Sequence, residues 1–181
     1  KDMYTRIAKR AAELTAAPVP ADLGYATWFD AYFDVMWKGW LSPSTPVLTN
    51  MGNGRGHPIA CSGTHVGDSI RSFYQALMEL AQLTQRGYGT SVSLDSIRRR
   101  GAPISTGGEA NGPWDFADDV VNVMKKVSQG SSRRGSAGQY INILNPDVDE
   151  FLDQLNADDD GWNIGWNITD DYEALFERDP E

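Results

Sequence analysis

Two kinds of hydrophobic spacing take turns along this chain, separated by prolines and glycines, and that alternation limits the fold more than any single motif does. Residues 1–16 set Tyr4, Ile7, Ala8, Ala11 and Leu14 on one helical face, and the pattern stops at Pro18 and Pro20. Residues 21–40 (ADLGYATWFDAYFDVMWKGW) read as a second, aromatic-rich helix. The next stretch, LSPSTPVLTN, holds two prolines and is expected to be extended. IACSGTHV (59–66) reads as a short buried strand. Asp68 or Ser69 can then cap a helix with Ile70, Phe73, Leu77 and Leu80 or Ala81 on one face, ending at Gly87. TSVSL (90–94) favours a strand, and a basic loop containing Gly and Pro runs from Arg98 to Gly112.

The second half repeats the alternation. Pro113 opens a helix with Phe116, Val120, Val123 and Val127 inward. The loop SQGSSRRGSAG (128–138) leads to the strand QYINIL, and Asn145-Pro146 starts the acidic helix PDVDEFLDQL, whose first-turn acids suit the helix dipole. GWNIGWNIT supplies a last strand and DDYEALFER a last helix. Helices alternating with strands predict an α/β architecture with at least partly parallel strands. The doubled GWNI is too brief for a repeat fold. With no linker evident, the chain reads as one domain with residues 1–42 as a helical lead-in and 43–181 as the α/β part.

Composition narrows the classes of function. Hydrophobic residues make up 40% of the 181, with six Trp, which suits a packed core, and no apolar run approaches the ~20 residues that span a bilayer. The first 14 residues are charged and amphipathic, without the apolar stretch of a secretory signal. A single cysteine excludes an internal disulfide framework and fits a reducing cytoplasm. The formal charge of −9 is uneven: residues 145–181 carry thirteen acids and one Arg, the first 144 fifteen bases and twelve acids. Such a chain has no general footprint for nucleic acid or an anionic membrane. Its positive charge clusters in IRRRG (97–101) and SSRRG (131–135), each ending in glycine, a pattern suited to phosphate groups or simply to solvated turns.

Cys61, the lone cysteine, is either an inert small hydrophobe or half of a redox pair whose partner lies on another polypeptide. His57, Cys61 and His65 are spaced four apart, which on a helix would make a metal face. Pro58, Gly63 and the β-branched Ile59, Thr64 and Val66 make the segment extended instead, so that four residues separate by about 13 Å, beyond one metal or one nucleophile–base pair. No metal site is therefore expected. There is no Walker A pattern, GNGRG (52–56) lacks the strand-then-helix setting of a dinucleotide fingerprint, and no elbow for Ser-His-Asp hydrolysis is present.

STPVLTN, the strand carrying Cys61, GDSI, QRGYGTSVSLDSIRRRGAPISTGG, SQGSSRRGSAG and NPDVDEFL, in that order, resemble the large subunit of class I or class II ribonucleotide reductases from about residue 42 onward. The resemblance implies an N-terminal helical segment followed by the first part of a ten-stranded α/β barrel, incomplete in this chain. It implies that Cys61 is one of two thiols that reduce the ribose 2′ position and close a disulfide, the second thiol and a radical-bearing cysteine coming from a complementing chain. It places Ser44, Thr45, Ala60, Gly87 and Tyr88 at the ribonucleotide substrate. It places Asp68, Ser69, Ile70, Arg98, Ser105, Thr106 and Gly107 at a regulatory deoxynucleoside triphosphate bound with Mg²⁺. Gln129, Arg133 and Arg134 fall in a loop that carries specificity between the two. Ala60 stands where many members have Ser, and Tyr88 where glycine is commoner. The radical comes from a small subunit on another chain or from adenosylcobalamin, and helix 69–86 is expected at an oligomer seam. The expected activity is that of an oxidoreductase of deoxyribonucleotide biosynthesis, silent in the isolated chain. The alternative is a non-catalytic deoxynucleotide-binding or assembly module, against which the presence of Cys61 argues.

Overall fold

In the computed structural model, which describes residues 1–54, 56–129, 133–157 and 161–178, the chain divides into two compact units, Lys1–Ala60 and Cys61–Glu181. Of residues 128, 129, 133 and 134 only the backbone is described.

The first unit is helical. Its elements are α1 (Asp2–Leu14), a 3-10 turn (Ala21–Leu23), α2 (Trp28–Trp37) and α3 (Thr45–Asn50). Thr27 caps α2, its hydroxyl accepting from Asp30 N at 3.1 Å. Ile7, Ala8 and Met36 form the buried centre, with Tyr4, Phe29, Tyr32, Phe33, Val47, Leu48 and Met51 packed around it. The stretch LSPSTPVLTN departs from its expected extended form, because Pro46 sits in the first turn of α3, where its missing N–H leaves no bond unmade. Arg6 then fastens α3 to α1, its guanidinium donating to the carbonyls of Leu48 (2.6 Å) and Met51. The compact helical unit runs to Ala60.

The second unit is a four-stranded parallel sheet with helices between its strands. In chain order it holds β1 (Cys61–Thr64), α4 (Ile70–Gln85), β2 (Gly89–Ser93), α5 (Pro113–Lys126), β3 (Ser128–Gln129), β4 (Arg133–Arg134), β5 (Ala137–Asn142), α6 (Val148–Ala157), β6 (Ile164–Asn167) and α7 (Asp170–Arg178). The sheet order is β1-β2-β5-β6, every pair parallel, while β3 and β4 form a separate antiparallel pair. Strand order thus follows chain order without reversal. Alternate strand residues Val92, Ala137 and Ile141 share one core with Ala76, Leu77 and Leu80 of α4, Phe116, Ala117, Val120 and Met124 of α5, and Phe151 of α6. All three helices therefore lie on the same face of the sheet. A parallel sheet that winds one way with its helices on one side is the start of a barrel, and its other face points inward.

The local reasons are those the sequence carries. Ser69 caps α4, accepting from Ser72 N at 3.2 Å, and Gly87 (φ 98°) takes the left-handed turn after it. Pro113 begins α5, and Lys125 and Lys126 complement its C-terminal dipole. Gly135, at the exit of the 128–136 loop, is forced by space: a Cβ there would stand 2.8 Å from both Thr84 Cγ2 and Val127 O.

Candidate functional site

The inward face is unusual for a parallel sheet, which is ordinarily covered by apolar side chains on both sides. Strand parity assigns it Cys61 and Gly63 from β1, Gly89, Ser91 and Ser93 from β2, Gly138, Tyr140 and Asn142 from β5, and Gly165 and Asn167 from β6. Apart from Tyr140, every one of these is glycine, a small polar residue, or the thiol. Register pairs Cys61 with Gly89, aligns Gly63, Ser91 and Gly138 in the next row, and aligns Ser93, Tyr140 and Gly165 beyond that. Cys61 is exposed, at the start of β1. A ligand lying on this face meets a thiol, hydroxyls and bare backbone.

At the C-terminal ends of the strands, Asp95 ties the sheet together. Its carboxylate accepts from Asn142 N at 2.5 Å, Asn167 Nδ2 at 2.9 Å and Ser93 Oγ at 3.3 Å. Neither Asp95 nor Ser91 is given a role by the sequence, although both lie in the segment 85–108 that carries the resemblance; strand register places Ser91, and its hydrogen bonds place Asp95.

A second constellation forms at the same end, where parallel α/β sheets hold their ligands. Asp68, after β1, and Arg98, after β2, meet: Nε donates to Asp68 Oδ2 at 2.6 Å and the Arg98 backbone N to Oδ1 at 3.3 Å. Arg98 Nη1 also donates to the Pro103 carbonyl at 3.0 Å, tethering the 101–108 loop. That loop is a small hairpin, with Gly101 N donating to Ala110 O, Ala110 N to Ala102 O and Ile104 N to Gly108 O, and it presents Ser105, Thr106 and Gly107 exposed at its tip. Ile70, two residues after Asp68, is 69% exposed, while the Ser69 hydroxyl oxygen is occupied by the helix cap. The structure thus brings Asp68, Arg98 and the loop together.

The cluster IRRRG does not act as one. Arg100 turns to α6, paired bidentately with Glu150 (2.5 and 3.0 Å), its backbone N donating to Asp147 Oδ2 at 2.9 Å. The bond to Glu150 raises the guanidinium further above its already high ordinary pKa. Gly112 allows this clasp, since a Cβ there would stand 3.0 Å from both Arg100 N and Asp147 Oδ2.

Other expected residues are placed less directly. Ser44 and Thr45 open α3 in the first unit, both exposed, and Ala60 ends that unit, half-buried. Gly87 serves the turn after α4. Tyr88, expected at the substrate, is only 7% exposed, and its backbone N donates to Leu83 O; the glycine two residues on from Gly87, Gly89, is the one opposite Cys61. Glycine inside a strand was the available sign of close backbone approach there. Gln129 pairs with Arg133 and Ser128 with Arg134 in the β3–β4 ladder, but residues 130–132, and the side chains of Gln129, Arg133 and Arg134, lie outside the described residues. Among the described residues no group of three His, Cys, Asp or Glu side chains could hold a metal ion, and no helix is long and apolar enough to cross a membrane.

Comparison with known proteins accords with this geometry. A family model described as "Ribonucleotide reductase, barrel domain" matches residues 59–165, and one described as "Ribonucleotide reductase, all-alpha domain" matches residues 1–56. A vitamin B12-dependent ribonucleoside-diphosphate reductase of Thermoplasma acidophilum is 32% identical over 141 residues, covering 76% of this chain and 18% of that protein. A ribonucleoside-diphosphate reductase subunit alpha of Bacillus subtilis is 30% identical over 156 residues, covering 82% of this chain and 22% of that protein. The solved class Id ribonucleotide reductase alpha subunit of Actinobacillus ureae superposes with a TM-score of 0.76 at 28% identity, over 99% of this chain and 32% of that one. The chain spans about a fifth of the length of these two relatives by sequence. With an all-helical unit followed by the opening strands of the barrel, it belongs to the ribonucleotide reductase large-subunit family.

Proposed function

We propose that this chain supplies the part of a ribonucleotide-reducing enzyme that holds one of its two reducing thiols, Cys61, and the site of its regulatory deoxynucleotide. The observation that carries this is the exposed Cys61 on a sheet face built of glycines and hydroxyls, where an apolar covering would be ordinary. An inert structural cysteine would be buried in the opposite, helix-packed face. Replacing a ribose 2′-hydroxyl by hydrogen takes two electrons and two protons, and releases water. Two thiols supply both and become a disulfide. Cys61 is the only cysteine in the sequence, so the second sulfur comes from polypeptide beyond these residues. The radical that starts the reaction on the ribose would likewise arrive from outside, from a companion chain or from adenosylcobalamin. One relative is named for B12 dependence, while another is named as an alpha subunit.

At the effector site, Asp68 and Arg98 with the 101–108 loop would take a deoxynucleoside triphosphate. Mg²⁺ would travel on its phosphates, the usual manner for this ion. Because Asp68, Arg98 and the 101–108 loop meet within one unit, effector binding without catalysis is the second reading. The test that separates them is deoxyribonucleotide formation by the purified chain, alone and mixed with a chain bearing the later catalytic cysteines. The expected result is no product alone and turnover on mixing. Turnover by the chain alone would overturn the two-thiol assignment, and none in a mixture shown to assemble would leave only effector binding.

Helix α4 has a surface to match a second copy. Ile70, Tyr74 and Met78, four residues apart and 69, 68 and 58% exposed, make an apolar stripe that its own unit leaves bare. Charging the stripe with Tyr74→Glu and Met78→Glu is expected to convert a dimer to a monomer in sedimentation velocity. A parent chain that is monomeric at the same concentrations would remove this seam.

A further inference from the structure

Ser91 is the hydroxyl of the inward face that stands nearest the thiol in register, and it is unspent. Farther along the strands, Ser93 and Asn167 are held by Asp95, and the Asn142 side-chain oxygen accepts from Leu144 N at 2.8 Å. Among the described residues the Ser91 hydroxyl makes no such bond. Its neighbours in register, Gly63 on β1 and Gly138 on β5, decide on which side it is open. Toward β5 the Tyr140 ring takes the space, since a Cβ on Gly138 would stand 3.3 Å from Tyr140 Cε2 and 3.5 Å from its hydroxyl oxygen. Toward β1, beyond its own chain neighbours, a Cβ on Gly63 would meet only Ser91 Oγ among the described residues, at 3.7 Å. Gly63 has no positive φ, so no turn requires glycine there. What its missing side chain does is leave the Ser91 hydroxyl uncovered.

The open side leads to Cys61. Gly63 lies two residues beyond Cys61 on the same face of β1, about 6.6 Å at ~3.3 Å per residue. A carbon in contact with the sulfur accounts for ~4 Å, and a hydrogen bond to Ser91 Oγ for ~2.8 Å, which together match that spacing. The thiol and the hydroxyl can therefore touch neighbouring atoms of one small ring. Charge selects which part of a nucleotide that is. None of the residues that parity places on this face is cationic, and the backbone N–H groups of a central strand are committed to its ladders. A phosphate calls for charged or unpaired donors, whereas a neutral ribose hydroxyl is served by one hydroxyl partner.

We propose that Ser91 binds the substrate, its hydroxyl bonded to the ribose 3′-hydroxyl while the adjacent 2′-carbon lies at Cys61. The inference rests on the reading of Cys61 given above and deepens it, by naming the group that orients the ribose on the thiol. The 3′-oxygen is next to the carbon that is reduced and stays on the product, so the same bond serves before and after the reaction. In the enzyme assembled with its complementing chain, calorimetry compares cytidine diphosphate with 3′-deoxycytidine diphosphate. Ser91→Ala is expected to weaken cytidine diphosphate about three- to tenfold, the range of one neutral hydrogen bond, and to leave the 3′-deoxy compound unchanged. KM for cytidine diphosphate should rise by the same factor. Gly63→Ala, whose methyl group would rest against the hydroxyl at ordinary contact distance, is expected to reproduce the pattern. Deoxynucleotide binding at Asp68 and Arg98 should hold in both variants. An equal shift for the two ligands in Ser91→Ala, or no shift for either, overturns the proposal and leaves Ser91 a spacer in the strand. If the parent complex neither binds nor reduces a ribonucleotide, the reading of Cys61 itself fails.

Discussion

Cys61→Ser is expected to bring ribonucleotide reduction in the assembled enzyme to background while leaving the protein folded and its effector site intact. Serine copies the size and much of the polarity of cysteine, and Cys61 is exposed, so the stability cost should stay within about 0.5 kcal/mol, as for surface substitutions in general. What serine lacks is the redox chemistry. A hydroxyl is not oxidised to a disulfide, so the two electrons have no donor and the substrate radical is left without its reductant. Effector affinity should not change, because Asp68 and Arg98 follow the C-terminal ends of β1 and β2 while Cys61 begins β1. Product formation and calorimetric titration on the same preparation check both halves. Residual turnover within a few-fold of the parent would remove Cys61 from the reaction.

Arg98→Ala carries the second large effect. Arg98 does two things within the chain, pairing with Asp68 and holding the 101–108 loop through Pro103, and contact with the phosphates is the third that we propose for it. Charge-assisted hydrogen bonds contribute roughly 1.5–3 kcal/mol, so its loss is expected to weaken deoxynucleoside triphosphate binding about ten- to a hundredfold. Arg98→Lys should recover little, since an ammonium cannot donate to Asp68, to a carbonyl and to a phosphate in the directions the planar fork serves. Raising the salt concentration should narrow the difference between parent and variant, because the pair is partly exposed. Equal affinities in parent and Arg98→Ala would place the effector elsewhere.

Arg100→Ala makes an internal control of a different kind. Its guanidinium is taken by Glu150, so its removal bears on the clasp between the loop and α6 before it bears on any ligand. The sequence shows three adjacent arginines of equal standing. Their division of labour depends on carboxylates thirty and fifty residues away, Asp68 and Glu150.

The same contrast runs through the rest of the molecule. Helices, caps and the parallel character of the sheet were legible because they rest on short windows: the 3.6-residue face of α4, the Ser69 cap, Pro113 at the head of α5 and the glycine after Gln85-Arg86. α3 was misread because proline in an irregular stretch and proline in a first helical turn look alike without the partner that α1 supplies, Arg6. Motifs in a fixed order led to the family, and with it to Cys61, Asp68 and Arg98. The sequence by itself thus determined most of the elements, though not α3 or the late start of α2 at Trp28, together with the lone thiol and the excess of acid. Only the tertiary structure decided that Gly89 rather than Tyr88 faces Cys61, that Asp95 joins three strands, and that Tyr140 lies on Gly165. Each of those is a matter of register between strands that are distant along the chain, and a slip of one residue would turn every one of these side chains to the opposite face of the sheet.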